Sequence, residues 1–78
     1  NKKKITKQQK ERINDIRKEY IAKIADKDVM MQDKLGKLND RIPPDEIKYA
    51  MEALQKEFAE EKKILEEKME KEIESVRN

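Results

Sequence analysis

Apolar side chains recur along this chain at steps of three and four residues, in two long runs. In the first run nine of the eleven repeating positions are apolar, and the exceptions are Gln9 and Lys27. In the second run eight of nine are apolar, and the exception is Lys62. Such steps place side chains on one face of an α-helix, whereas a strand would alternate every second residue. The pattern therefore predicts an all-α chain of two amphipathic helices without strands.

The steps follow the order four, four, three, which gives a repeat of eleven residues, as in Ile13, Ile24 and Leu35. Eleven residues over three turns correspond to about 3.67 residues per turn, slightly more than in a free helix. We therefore expect nearly straight, hendecad-like coiled-coil packing rather than a heptad supercoil. The positions assigned to the seam between the helices are Ile13, Ile16, Tyr20, Ile24, Met31, Leu35, Leu38, Ile42, Ile47, Met51, Leu54, Phe58, Leu65, Met69, Ile73 and Val76.

Two adjacent prolines separate the runs. Proline removes a backbone donor and pushes the preceding residue out of helical geometry, so Pro43 and Pro44 should end a helix. We predict a helix over 5–41, a Pro-Pro turn over 42–44 and a helix over 45–77. Because the connection is short, the helices should form one antiparallel hairpin over residues 1–78. An alternative is a break at 25–28, with Asp28 as an N-cap, which would give three helices.

Charge is abundant but nearly balanced, with 49% charged residues and a net charge of +2. It is unevenly distributed: residues 1–27 carry ten basic and four acidic side chains, and residues 45–78 carry seven basic and eleven acidic ones. An antiparallel hairpin lays the basic arm along the acidic arm. Exposed ion pairs contribute only about 0.2–1 kcal/mol each, so this distribution should set orientation more than stability.

Two helices that each bury one stripe form a small core, and such a core rarely supplies more than about 3–5 kcal/mol. Further apolar residues flank the stripes, which suggests burial wider than a two-helix seam needs. We therefore predict that two hairpins dimerise into a four-helix bundle, or that the hairpin docks on a partner helix. The flanking residues are Ile21, Ala25, Met30, Ala50, Ala53 and Ile64.

The composition excludes several functions. The chain has no Cys and no His, which excludes a disulfide scaffold, a structural zinc site and a catalytic Cys or His. Carboxylates are plentiful, but acid–base catalysis needs a cleft that shifts one pKa, and an exposed helix offers none. We expect no enzyme activity, catalytic residue, cofactor, metal site or small-molecule substrate.

No apolar run is long enough for a membrane span or a signal peptide, so we expect a soluble intracellular protein, most simply cytoplasmic. The chain begins with Asn rather than Met, which is expected of a trimmed or excised piece.

Two surfaces are candidates for contact with partners. The first is the basic start of the chain, which should project beyond the second helix because Val76 is expected opposite residue 11. Its cations could neutralise phosphates: Lys2, Lys3, Lys4, Lys7, Lys10 and Arg12. The second lies near the turn, where apolar and aromatic side chains could anchor a protein: Ile42, Pro43, Tyr49 and Val29.

The turn and second helix, over 42–70, are similar to the helical hairpin beside the zinc ribbon of large serine recombinases, in which an Ile and an acidic turn open the second helix. Ile42, Asp45, Glu46, Phe58 and Leu65 carry this resemblance in common residue types. The chain also resembles type III secretion needle subunits in length and turn, and the RNA-binding Rop-like plasmid regulators as a hairpin. No family is assigned from these resemblances.

The function expected from the sequence is a non-enzymatic coiled-coil module for protein–protein interaction and assembly. The alternative is a nucleic-acid-associated helical hairpin, such as a segment of a DNA-recombination or plasmid or phage regulatory protein, which would use the basic amino-terminal helix.

Overall fold

The computed structural model describes residues 4–78, which form two α-helices packed side by side. Helix α1 spans Lys7–Arg41 and helix α2 spans Ile47–Arg77. The pair is elongated, with extents of 59 × 19 × 11 Å, and residues 4–78 contain no strand. The predicted all-helical hairpin is therefore confirmed. Lys2 and Lys3 of the basic start lie outside the described residues.

Helix α1 begins at a complete capping box. The Thr6 hydroxyl accepts a hydrogen bond from the Gln9 backbone N–H, and the Gln9 side chain accepts one from the Thr6 backbone N–H. These two bonds satisfy donors that the first turn of a helix leaves free. Thr6 itself is extended, so α1 begins two residues later than predicted. It continues unbroken through 25–28, and the three-helix alternative is therefore wrong.

The turn separates the helices by five residues. Ile42 has extended backbone angles, as expected for a residue before proline. The Glu46 N–H then donates to the Pro43 carbonyl over 2.9 Å, which closes a turn over 43–46. This turn delays α2 to Ile47 rather than residue 45. Asp45 and Glu46 consequently precede the helix, and Glu46 occupies its N-cap without a side-chain hydrogen bond.

Burial is concentrated at the end of the hairpin away from the turn, which we call the base. The fully buried side chains all lie there: Ile13, Ile16, Tyr20 and Ile73. Ile5, Leu65, Met69 and Val76 pack partly buried against them. In the half nearer the turn, the distal half, the inward side chains of α1 and α2 are only half-buried or exposed. The two ends of one seam therefore differ in how completely they are packed.

Fifteen of the sixteen assigned seam residues are buried or half-buried, and Met51 is the exception. Met51 is 39% exposed, and its neighbour Ala50 is half-buried instead. Lys62, the polar position of the predicted stripe, is also exposed, and Glu61 takes the inward position. At two positions of α2 the inward residue is therefore the one before the predicted residue. At the second of them the Glu61 carboxylate reaches Lys27 across the seam.

Candidate functional site

A continuous open groove runs between the helices in the distal half. Two cavities adjoin along the seam and share Lys34, Leu54 and Glu57 in their walls. Together they extend from Lys27 to Ile42 on α1, a length of about 22 Å at 1.5 Å per residue. We call this feature the distal groove. The apolar side chains that line it form its floor: Met30, Met31, Leu38, Ile42, Ala50, Ala53, Leu54 and Phe58.

The groove is open because α2 presents small side chains near the turn. Ala50 and Ala53 line the part closest to the turn, where the cavity measures about 460 Å³. The base is filled by branched and aromatic residues at the equivalent depth, with Ile73 only 1% exposed. The space near the turn is therefore a local consequence of residue size. Apolar side chains such as Leu54 remain only half-buried beside it.

The charged residues that line the groove are separated by sign. Those contributed by α1 are all cationic, and we call them the basic bank: Lys27, Lys34, Lys37 and Arg41. Those contributed by α2 are both anionic, and we call them the acidic bank: Glu57 and Glu61. The groove thus combines an apolar floor with one positive and one negative edge.

One contact joins the two banks directly. Lys27 Nζ lies 3.0 Å from Glu61 Oε2, and both side chains are partly exposed. The hydrogen bond from Lys27 holds the pKa of Glu61 below its ordinary value, and the charges of Lys27 and Lys34 act in the same direction against partial desolvation. Within residues 4–78 this is the one ion pair closer than 4 Å that connects the helices. The predicted charge complementarity of the arms is thus realised by a single direct contact.

The remaining ion pairs of the described chain lie within α1, four residues apart. Lys23 pairs with Glu19 at 3.4 Å, and Lys37 pairs with Asp33 at 2.9 Å. Lys37 therefore belongs to the basic bank while part of its charge is already balanced by its own helix. Lys34 has no such pair, which leaves it as the freer cation at the middle of the groove.

The base contains a polar contact that the sequence pattern did not indicate. The Tyr20 hydroxyl donates a hydrogen bond to the carboxylate of Glu72 on α2. This bond, together with burial and the negative charges of Glu72 and Glu19, raises the pKa of Tyr20 to about 12. The Lys23 ammonium also lies 4.7 Å from the centre of the Tyr20 ring. A buried tyrosine at a seam position requires a hydrogen-bond partner for its hydroxyl, and this requirement could have predicted a polar contact at the base from the sequence.

The basic start of the chain does not project beyond α2 as predicted. The Gln9 side-chain amide donates to the Val76 carbonyl over 2.9 Å, and Ile5 packs against the base. The predicted overhang of residues 1–10 is therefore wrong for residues 5–10. Ile5 and Gln9 therefore lie against the carboxyl end of α2 rather than beyond it. The described cations of this segment, Lys4, Lys7, Lys10 and Arg12, are all exposed.

The candidate protein contacts near the turn are not gathered into one surface. Ile42 is half-buried and lines the distal groove, whereas Pro43 is exposed in the turn. Tyr49 is 71% exposed and Val29 is 66% exposed, and neither lines the groove. Val29 and Ile42 are also about 20 Å apart along α1. Among these four residues, only Ile42 belongs to the open apolar feature.

Across residues 4–78, neither helix has a stretch apolar and long enough to cross a membrane. The same residues contain no cluster of three side chains suited to bind a metal ion. No protein family, curated protein or solved structure matches this chain.

Proposed function

We propose that this chain is a non-enzymatic module for protein–protein interaction and assembly, in which helices of another chain cover the distal groove and complete a four-helix bundle. In the bundle, the seam packs with the eleven-residue, hendecad-like spacing of a coiled coil. One observation carries the proposal: fully buried side chains are confined to the base, whereas the apolar side chains of the distal half line an open groove between the helices.

The asymmetry matters because large apolar side chains occur in the distal half as well as at the base. Leu54 and Phe58 continue the stripe that holds Ile73 and Leu65, yet they line an open cavity. Burying apolar surface stabilises by about 25 cal/mol per Å². A partner helix would recover this energy in the distal half, and the hairpin alone does not. The charged banks beside the floor match the polar rim common at interfaces.

Amide hydrogen exchange tests whether the distal half needs a partner. In a dilute sample, amides of 31–42 and 47–58 should exchange faster than amides of 13–20 and 65–73, because local opening follows incomplete packing. Association with the covering helices should slow the distal amides selectively. If the dilute monomer protects both halves equally, the groove needs no cover and the proposed function is wrong.

A charge placed in the groove separates docking from general surface effects. Leu54 lines both cavities, so Leu54→Asp should abolish the slowing that association causes, because it would bury an unpaired charge. Gln55 is the next residue and is exposed, and Gln55→Asp adds the same charge to the same helix. This control variant should retain the slowing of exchange. Equal behaviour of the two variants would contradict docking in the groove.

A second candidate function, contact with nucleic acid, is supported by the exposed cations of the amino-terminal segment. Lys4, Lys7, Lys10 and Arg12 form no ion pair within 4 Å among the described residues. Binding to duplex DNA or RNA would weaken steeply with salt, because each neutralised phosphate releases counterions. Lys7→Glu with Lys10→Glu should reduce the salt slope, whereas Lys63→Glu, an exposed change on α2, should not. A salt-independent or absent signal would contradict this candidate.

A further inference from the structure

We infer that the occupant of the distal groove is a second copy of this chain, related by a two-fold axis parallel to the long axis of the hairpin. The turns of both copies then lie at the same end of the dimer. This inference rests on the proposed function, and it specifies the partner and its orientation.

The distribution of charge in the groove is self-complementary in only one of two face-to-face arrangements. A two-fold axis along the hairpin places α1 of one copy over α2 of its partner. The basic bank then faces the partner's acidic bank, and symmetry repeats the contact. A two-fold axis across the hairpin places α1 over α1, so that basic bank faces basic bank. Adjacent helices are antiparallel in both arrangements, so the distribution of charge is what favours the first arrangement over the second.

The middle of the groove shows the match most directly. Lys34 and Glu57 line both cavities on opposite edges, and the register set by the Lys27–Glu61 contact places them within about one helical turn, 5.4 Å, of each other in height. A two-fold axis along the hairpin leaves height unchanged and exchanges the edges. Lys34 of each copy thereby comes to the edge occupied by Glu57 of the other copy, within about one helical turn of it. The same two-fold axis places the apolar floors of the two copies against each other, so both are covered without a third chain.

Molar mass and charge reversal test the inference together. Light scattering after size exclusion, over a hundredfold range of concentration, should reach twice 9.4 kDa. Lys34→Glu alone and Glu57→Lys alone should each raise the dissociation constant of the homodimer about tenfold, because two equivalent attractive contacts become repulsive. The double variant, K34E with E57K, should return to the wild-type dissociation constant. If the two-fold axis instead ran across the hairpin, basic bank would already face basic bank, and neither single change would replace attraction with repulsion.

An equimolar mixture of the two single variants distinguishes contacts between chains from contacts within one chain. Each variant keeps its own mismatched groove, so a defect within the hairpin would persist after mixing. A contact between copies would instead be restored, because the new carboxylate at position 34 meets the new ammonium at position 57. The mixture should therefore dimerise at least as tightly as the wild type. Persistent weakness after mixing would overturn the proposed contact.

The orientation is measured directly by spin labels at the base. Lys18 is exposed, and the chain contains no Cys, so Lys18→Cys provides a single labelling position. Turns at one end bring the two labels within about 35 Å, given helix spacings of 8–10 Å. The opposite orientation, centred on Lys34, separates them by about 50 Å at 1.5 Å per residue. A long distance would overturn the inferred orientation.

Failure of this inference is distinguishable from failure of the proposed function. A monomer at every concentration, with fast exchange confined to the distal half, would exclude the second copy and leave a different partner to cover the groove. A dimer with long label distances would exclude the orientation alone. Uniform protection of the dilute monomer would exclude the proposed function itself.

Discussion

Lys27 Nζ and Glu61 Oε2 lie 3.0 Å apart at the point where the closed base gives way to the distal groove. The pair links the basic and acidic banks and holds α2 in the rotation that turns Glu61 inward and Lys62 outward. This contact takes one residue from each bank, at one end of the groove. It therefore affects both the stability of the hairpin and the surface that the hairpin offers.

We predict that Glu61→Gln lowers the urea midpoint of unfolding at neutral pH. The folded pKa of Glu61 is depressed below its ordinary value of 4.5, so the stabilisation is fully present above that value and is lost as the pH falls through the folded pKa. The difference between variant and wild type should thus disappear once the pH has fallen below the depressed folded pKa of Glu61. Glu60→Gln, at an exposed neighbouring position, serves as the control. A difference that is independent of pH would show that Glu61 acts through packing alone.

The Tyr20 hydroxyl should titrate late, with a midpoint near pH 12. Tyr49→Phe leaves Tyr20 as the only tyrosine, so that its ultraviolet absorbance reports a single group. Adding Glu72→Gln removes the charged acceptor and should shift the midpoint down. Since the folded pKa is raised, the associated stability is complete below pH 10.0 and is lost as the pH rises toward 12. An unchanged midpoint in the Glu72 variant would contradict the hydrogen bond.

Two isoleucines of α1 provide a matched test of the base. Ile16 is buried, whereas Ile21 is 65% exposed. Ile16→Ala should cost about 2–5 kcal/mol, because it removes buried methyl groups and leaves a cavity. Ile21→Ala should remain within about 0.5 kcal/mol of the wild type in dilute solution. Urea unfolding followed by circular dichroism measures both, and similar losses would mean that the base is not the core.

Gly36 is a position where the chain should gain stability. Its backbone is helical, and a Cβ atom built there would meet nothing within 4 Å. Gly36→Ala should therefore stabilise the hairpin by about 1 kcal/mol, since alanine loses less backbone entropy in a helix. Thermal unfolding in dilute solution provides the measurement. A variant that is destabilised in dilute solution would contradict the open surroundings of Gly36 in the hairpin.

The architecture could be predicted because helix period and proline chemistry act locally. Every polar and apolar position of the α1 stripe, including Gln9 and Lys27, is buried or half-buried in the structure. Ile42 ends α1 for the expected reason, because a proline follows it. Both helices begin two residues later than predicted, because Thr6 and Glu46 are N-caps and the position of an N-cap depends on individual hydrogen bonds.

The inward positions of Ala50 and Glu61 and the distal groove depend on contacts between the helices. Periodicity alone does not predict such contacts. Hydropathy favours Met51 over Ala50 at an inward position, and it ranks Glu61 and Lys62 equally. The choice of Glu61 follows from Lys27, which can be recognised only when the antiparallel register is known. The opening of the groove follows in turn from Ala50 facing inward. Of the flanking apolar residues only Ala50 is half-buried in the hairpin, and Ile21, Met30 and Ile64 are exposed, so the wider burial expected from them stays a prediction.

The best-packed contacts of this hairpin join residues that are far apart along the chain. Gln9 and Val76 are separated by 67 positions, and Tyr20 and Glu72 by 52. Contacts near the turn are cheap to close but weakly packed, whereas those at the base carry the largest loop-closure cost. Helix pairing that starts at the turn therefore gains little stabilising free energy until the two ends of the chain meet at the base. We therefore expect cooperative folding in which the encounter of the two ends, rather than formation of the turn, limits the rate.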